Sequence, residues 1–252
     1  MTEHIIHPIP MMTLSRPMSE QVFRLAAYVG PIAVDCIYSW YIEGTKQNIV
    51  VDTGMTAEMM RKAGVPGFST SATHVQTLDE GLAKVGLRPE DIDIVIMTHL
   101  HLDHIPLAPR FTKAKFLVQQ AELDYQRNPA PPPVDPRPCP TELLDTLNWE
   151  IVRGDYQVEE GVKVLFTPGH TPGGQSVAVD TAKGLAIIDS LCTTDANWNV
   201  PAALQPRMEV LCPDCHNDPI QAYESLIKIK KMADIKIPSH ELRFAWVDKI
   251  PE

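Results

Sequence analysis

A chain of 252 residues that is 44% hydrophobic and 21% charged can bury one sizeable core, and no run of about 18 apolar residues is present to cross a membrane. The formal net charge of −10 argues against a nucleic-acid substrate, because phosphate binding needs Lys and Arg to displace counterions. A neutral or cationic small molecule is easier for this charge to accommodate, and a neutral, partly apolar one is the expected substrate.

The N-terminal residues MTEHIIHPIPMMTLSR lack a basic start followed by an apolar run, so no signal peptide is read, and residues 1 to about 30 are taken as an extension. The five cysteines Cys36, Cys139, Cys192, Cys212 and Cys215 are an odd set, which suits reduced thiols in the cytoplasm. Residues 35 to 54 read as a β-hairpin around Glu43 to Gln47. TAEMMRKAG and TLDEGLAKVGL follow with helical spacing, the second bearing Thr77 as N-cap with Glu80 three places on.

Ile92 to Met97 then reads as a buried strand, and THLHLDHIP, residues 98 to 106, begins where it ends. Lys115 to Val118 is a short strand and QQAELDYQR a helix, which stops before the proline-rich piece at residues 128 to 140. Further strands are expected in WEIVRG and KVLFTPG, a hairpin in SVAVDTAKGLAIID, a helix in DPIQAYESLIKIKKMAD and a last strand in IKIPSHE. The whole of residues 1 to 252 is read as a single domain.

His99, His101, Asp103 and His104 follow one predicted strand; His170, Asp189 and His240 each follow another. Strand ends of a layered α/β protein converge on one edge, so these seven can meet there. Alternate side chains of an extended segment point the same way, which aims His99 and His101 at one point; Asp103 and His104 reach an adjacent point once the chain turns. Two neighbouring divalent ions are the consequence. Imidazole and carboxylate donors suit zinc, and also iron, manganese or cobalt. Three histidines in six residues are hard to explain by packing, because a buried imidazole without partners costs free energy.

THLHLDH resembles the HxHxDH signature of the metallo-β-lactamase superfamily; TPGHTPGGQS, IID and IPSH resemble its later metal motifs, and VVDTG its early hairpin. The resemblance implies a four-layer αβ/βα sandwich in the α/β class. It implies a binuclear site as well, with His99, His101 and His170 on one ion, Asp103, His104 and His240 on the other, and Asp189 bridging. Within the superfamily the chain is similar to the N-acyl homoserine lactone lactonase family over roughly residues 35 to 245. The activity implied is hydrolysis of a lactone by a metal-bridging hydroxide, with Asp103 moving the proton, and a homodimer is the implied assembly. Hydrolysis of another small ester, thioester or amide is the alternative, followed by an iron-dependent thiol or persulfide oxygenase.

Two departures bear on substrate. Cys192 stands where those lactonases carry a tyrosine that holds the substrate carbonyl, and Ile105-Pro106-Leu107 replaces the usual glycines after the first motif. The oxyanion donor is then open among Tyr223, Tyr125 and Asn197. CPDCH at residues 212 to 216 matches a c-type haem attachment signature, but with no export signal the expected reading is a loop near the site. Asp52 of the lone DTG is read as a residue that fixes the loop beneath the metals. His4, His7, His74 and His216 are read as surface or loop residues. Met11, Met12, Met18, Met55, Met59 and Met60 are read as core more readily than as an acyl-chain wall. The proline-rich piece is either a rigid connection or a rim over the cleft.

Overall fold

The computed structural model describes residues 2–20, 22, 30, 32–65, 68–129, 139 and 141–252. The proline-rich piece at residues 128 to 140, read as a rigid connection or a rim, lies, apart from Asn128, Pro129 and Cys139, outside the described residues.

The first sheet holds seven strands: β1 (Ile5–Pro17), β2 (Ile32–Glu43), β3 (Ile49–Val51), β4 (Thr73–His74), β5 (Ile94–Ile96), β6 (Lys115–Gln119) and β7 (Trp149–Val152). Their order is β4-β1-β2-β3-β5-β6-β7. The second sheet holds five: β8 (Tyr156–Glu159), β9 (Val162–Phe166), β10 (Gln175–Thr181), β11 (Gly184–Ile188) and β12 (Ile235–Ile237), in the order β12-β11-β10-β9-β8. Helices α1 (Ala57–Ala63), α2 (Phe68–Ser71), α3 (Leu78–Ala83) and α4 (Gln120–Arg127) attend the first sheet, while α5 (Asp195–Trp198) and α6 (Pro219–Met232) follow the second.

Alternation along the strands sorts the core into layers. Ile49, Val51, Ile94, Ile96 and Leu117 of the first sheet share one cluster with Val164, Val177, Val179, Ile188 and Ile237 of the second. Their neighbours Val50, Val95, Phe116 and Val118 turn the other way and pack with Leu82 of α3 and Leu123 of α4. On the far side, Leu165, Ala178 and Ile187 meet Ala222, Leu226 and Ile229 of α6. The result is helix, sheet, sheet, helix: the αβ/βα sandwich that the motifs implied. A one-residue slip in any of these strands would exchange its two faces, so burial on both sides fixes the register.

Strand direction positions the site. β3, β5, β6 and β7 pair in parallel, so their C-terminal ends share one edge. β9 and β11 are each antiparallel to β10, and β12 is parallel to β11, so these three also end together. Ligand-bearing loops therefore leave both sheets at one rim.

Some elements differ from the sequence reading. Ile5–Pro17 is an integral strand paired with β2 along its whole length, where only an extension was expected; its internal prolines are accommodated beside a register shift between Pro10 and Met12. His4 is buried at a bridge to Thr181 and bonds the Glu160 carbonyl, so it is neither a surface nor a loop residue. His7 lies on β1 against Glu43. Met11, Met12 and Met55 are core residues, as expected. Among the described residues no helix is long and apolar enough to cross a membrane.

Candidate metal centre

β5 delivers the first motif to the rim, and the chain turns at once, the His104 amide donating to the His101 carbonyl at 3.0 Å. Beneath it lies Asp52, which follows β3 with a φ of 54°. One Asp52 oxygen accepts the Thr98 amide at 2.8 Å, and the other accepts the Thr98 hydroxyl at 2.7 Å and His104 Nδ1 at 2.8 Å. Thr53 holds the same turn, donating its amide and its hydroxyl to the His104 carbonyl at 2.8 and 2.7 Å.

These bonds assign the imidazole nitrogens. The Thr98 hydroxyl has one hydrogen, given to Asp52, so at 3.0 Å it accepts from His99 Nδ1. His99 Nε2 is left as the lone-pair nitrogen. His170 Nδ1 lies 2.6 Å from the Cys215 carbonyl, an acceptor only, which leaves Nε2 as its lone pair too. Yet His170 Nε2 stands 3.2 Å from His99 Nε2 and 3.1 Å from His101 Nδ1. The His99 and His170 lone pairs facing one another at 3.2 Å repel unless a cation sits between them. His104 Nε2 gives the same answer: sealed from solvent and without a hydrogen bond, it lies 3.4 Å from Asp103 Oδ2.

Two donor groups result. The ligand atoms of His99, His101 and His170 lie within 4.8 Å of one another, as do those of Asp103, His104 and His240. Each group takes two residues from the first sheet's loop and one from the second sheet. Together they form a binuclear metal-binding site, and the chemistry of the donors fits divalent ions. Asp189 is buried at the end of β11, but the Leu191 amide at 3.0 Å and the Thr193 hydroxyl at 2.5 Å engage its oxygens, and it joins neither group.

Buried Glu122 of α4 ties the two halves together. Its carboxylate accepts the Leu100 amide, between His99 and His101, at 2.9 Å and the Gly173 amide, beyond His170, at 3.2 Å. Gly173 permits this approach, since a Cβ there would fall 2.1 Å from the Glu122 nitrogen. Gln175 adds its amide to the Thr98 carbonyl at 2.9 Å.

Electrostatics follow from burial and pairing. Burial opposes ionisation of Asp103, but His104 and His240 outweigh it and hold the carboxyl well below its usual range. Burial lifts Asp189 to about 6, against the pull of its bonds to Thr193 and Leu191. A hydrogen bond from Cys215, with the Arg16 guanidinium nearby, holds the Cys192 thiol well below its ordinary value despite burial.

Beside the triads opens a narrow cleft. Leu14, Ile37, Met60, Val65, Phe68 and Leu102 form its apolar side; Arg16, Asp35, Asp103, Cys192 and His240 form its polar side. Of the methionines weighed as core or acyl wall, Met60 is the one that lines this cleft among the described residues. The oxyanion candidates do not line it. The Asn197 side chain accepts from Thr194 and donates to the Leu211 carbonyl. Tyr223 accepts the Glu209 amide, and Tyr125 donates to Asn217, which in turn bonds the His170 carbonyl. CPDCH is a loop against His170, as expected.

Sequence reasoning missed Arg16, Asp35 and Glu122. Arg16 and Asp35 form a buried ion pair of 2.6 Å. Arg16 shares a strand face with the buried Met12 and Leu14, so its parity along β1 was the available signal.

The superfamily profile described as metallo-β-lactamase matches residues 35–231, and the chain belongs to that superfamily. An N-acyl homoserine lactonase of Bacillus sp. is 32% identical over 171 residues, 64% of each chain, so the match spans just under two thirds of that relative's length. The N-acyl homoserine lactonase of Bacillus thuringiensis is 28% identical over 218 residues, 80% of this chain and 78% of that one. A solved structure of a B. thuringiensis AiiA variant with N-decanoyl-L-homoserine at its active site superposes with a TM-score of 0.75 at 25% identity, covering 96% of this chain and 95% of that one.

Proposed function

We propose that this chain is a metal-dependent hydrolase that opens a lactone, with N-acyl homoserine lactones as the default class. The observation that carries the reading is the junction of two donor triads with a cleft whose far wall is apolar. The relatives named above, lactonases of that class, support the substrate. Hydrolysis of this kind would be quorum quenching.

His99, His101 and His170 would hold one ion and Asp103, His104 and His240 the other, with Asp189 between them; zinc is the proposed metal, and iron, manganese or cobalt would suit the same donors. Divalent ions there lower the pKa of water from about 15.7 towards about 7 and polarise an ester carbonyl. The protein's own residues do the rest. Asp52, Thr98 and the Cys215 carbonyl fix which imidazole nitrogens face inward. Asp103 lines the cleft, and its carboxylate would accept the proton released by the attacking water and return it to the leaving alkoxide. Leu14, Ile37 and Phe68 exclude water and bind the apolar part of the substrate. We place the protein in the cytoplasm as a homodimer, the first on its five unbridged cysteines and the second on its likeness to the lactonases.

A second reading, hydrolysis of another small ester, thioester or amide at this site, is favoured by the Arg16–Asp35 pair and Cys192 in the cleft, where none of the described lining residues is a tyrosine. Metal-loaded protein assayed on lactones of graded acyl length, linear esters, thioesters and lactams separates the two. Lactone turnover that leads the panel, disappears on chelation and returns with metal is the expected result. Protein carrying two ions that hydrolyses thioesters but no lactone would overturn the first reading.

A further inference from the structure

Of the described polar residues that line the cleft, Asp103 and His240 belong to the second triad, Asp35 is an acceptor and Cys192 a weak donor. Arg16 alone brings strong donors that no metal claims. Strand parity places it there. Arg16 pairs with Ala33 across β1 and β2, so Asp35, two residues on, is its diagonal neighbour on the same face, and Nη2 reaches Asp35 Oδ2 at 2.6 Å. The same stretch of β2 also holds His240: the Cys36 amide donates to the His240 carbonyl at 3.0 Å, and Asp35 bridges Glu241. The guanidinium is thus fixed to one backbone frame with the second triad.

The protein does not saturate this guanidinium. Among the described residues both of its partners sit on one nitrogen, Nη2, which meets Asp35 and, at 3.5 Å, the Cys192 sulfur. Nε is buried without a hydrogen bond. A buried donor left unmet costs free energy, and a pair kept only for stability could have met it, because a guanidinium offers a carboxylate two parallel N–H groups. Arg16 lines the cleft, so a molecule seated there can supply the acceptor. Leu14 and Ile37, two residues along the same two strands, form the apolar wall beside it. A polar atom followed by an apolar chain is the shape that this wall matches.

We propose that Arg16 is a specificity-determining residue: its unsaturated guanidinium donates to a neutral carbonyl oxygen that the substrate carries beside the scissile bond, such as the amide carbonyl of an N-acyl group. The inference rests on the reading of the cleft as the substrate site. Asp35 decides against an anion, because it already balances the guanidinium charge and a substrate carboxylate would lie against a second carboxylate. A neutral carbonyl takes the hydrogen bond without that repulsion. The arginine stays charged throughout, and no proton is transferred.

The probes are three lactones of one ring size and matched length, carrying an acylamino chain, an all-carbon chain, or a chain with a carboxylate in place of the amide. Wild type should favour the acylamino lactone over the all-carbon one. The ratio of their kcat/KM values should fall about 10- to 100-fold in the double variant Arg16→Met with Asp35→Leu. Arg16→Lys, which keeps the charge but not the planar fork, should lie between. A uniform loss of activity cancels in the ratio, and metal content and the urea midpoint of each variant are read beside it. A ratio unchanged in the double variant would overturn the proposal, as would a wild type that prefers the carboxylate lactone. Should the double variant fail to fold, Arg16→Lys decides, and an unchanged ratio there would overturn it. A wild type that hydrolyses thioesters but no lactone would overturn the lactone reading alone; the ratio for acylamino and all-carbon thioesters then decides this one. A chain with both ions bound that hydrolyses none of these would overturn both.

Discussion

His104 donates its Nδ1 hydrogen to Asp52 Oδ2 at 2.8 Å, and this bond alone decides which face of the imidazole looks into the second triad. Asp52 is no ligand, yet it sets the tautomer of His104 directly and that of His99 through Thr98. Asp52→Ala removes both constraints. The affinity of the second triad for its ion should fall about 10- to 100-fold, measured by competition with a chromophoric chelator, while the first ion is retained.

Asp103→Asn keeps an oxygen donor but loses the anion that accepts the proton. Turnover should fall at least about 100-fold, with one or more ions still bound per chain. Near-normal kcat, read beside metal analysis of the same sample, would place the proton transfer elsewhere.

Glu122→Ala strips the Leu100 and Gly173 amides of their shared acceptor deep in the protein. Orphaning two buried donors to a carboxylate should cost about 3 kcal/mol, seen as a lower urea midpoint. Glu122→Gln, which keeps an acceptor oxygen, should recover part of that loss.

Arg16→Met leaves Asp35 as an uncompensated charge in an interior where both side chains are at most 4% exposed. A loss of about 3–5 kcal/mol is expected by denaturant titration. The double change Arg16→Met with Asp35→Leu should restore most of the stability, because the penalty comes from the stranded carboxylate rather than from the missing pair.

The meeting of the two donor groups was legible because their members follow short apolar runs that read as buried strands, as in Ile94, Val95 and Ile96 before His99. Parallel pairing in the first sheet, and a shared antiparallel partner β10 with parallel β12 in the second, then bring these ends together whatever lies between them. The capping box of Thr77 and Glu80 was equally plain, since it is a contact between near neighbours. β1 was not legible: its prolines argue against a strand, and pairing with β2 along twelve residue pairs, a tertiary fact, overrides that local preference. Glu122 escaped notice for a related reason. On a helix rich in polar residues, nothing local distinguishes the one carboxylate that turns inward to hold two distant loops.

Each donor triad draws two residues from one layer of the sandwich and one from the other, which sets an order of events in the life of the chain. Neither group is complete when the HLHLDH segment leaves the ribosome. The first can close only after the loop of His170 and Gly173 has folded onto Cys215 and Glu122, the second only after His240 has followed at the end of β12. Metal capture is therefore a late step of maturation, and occupancy of the centre is a signal that the two layers have docked.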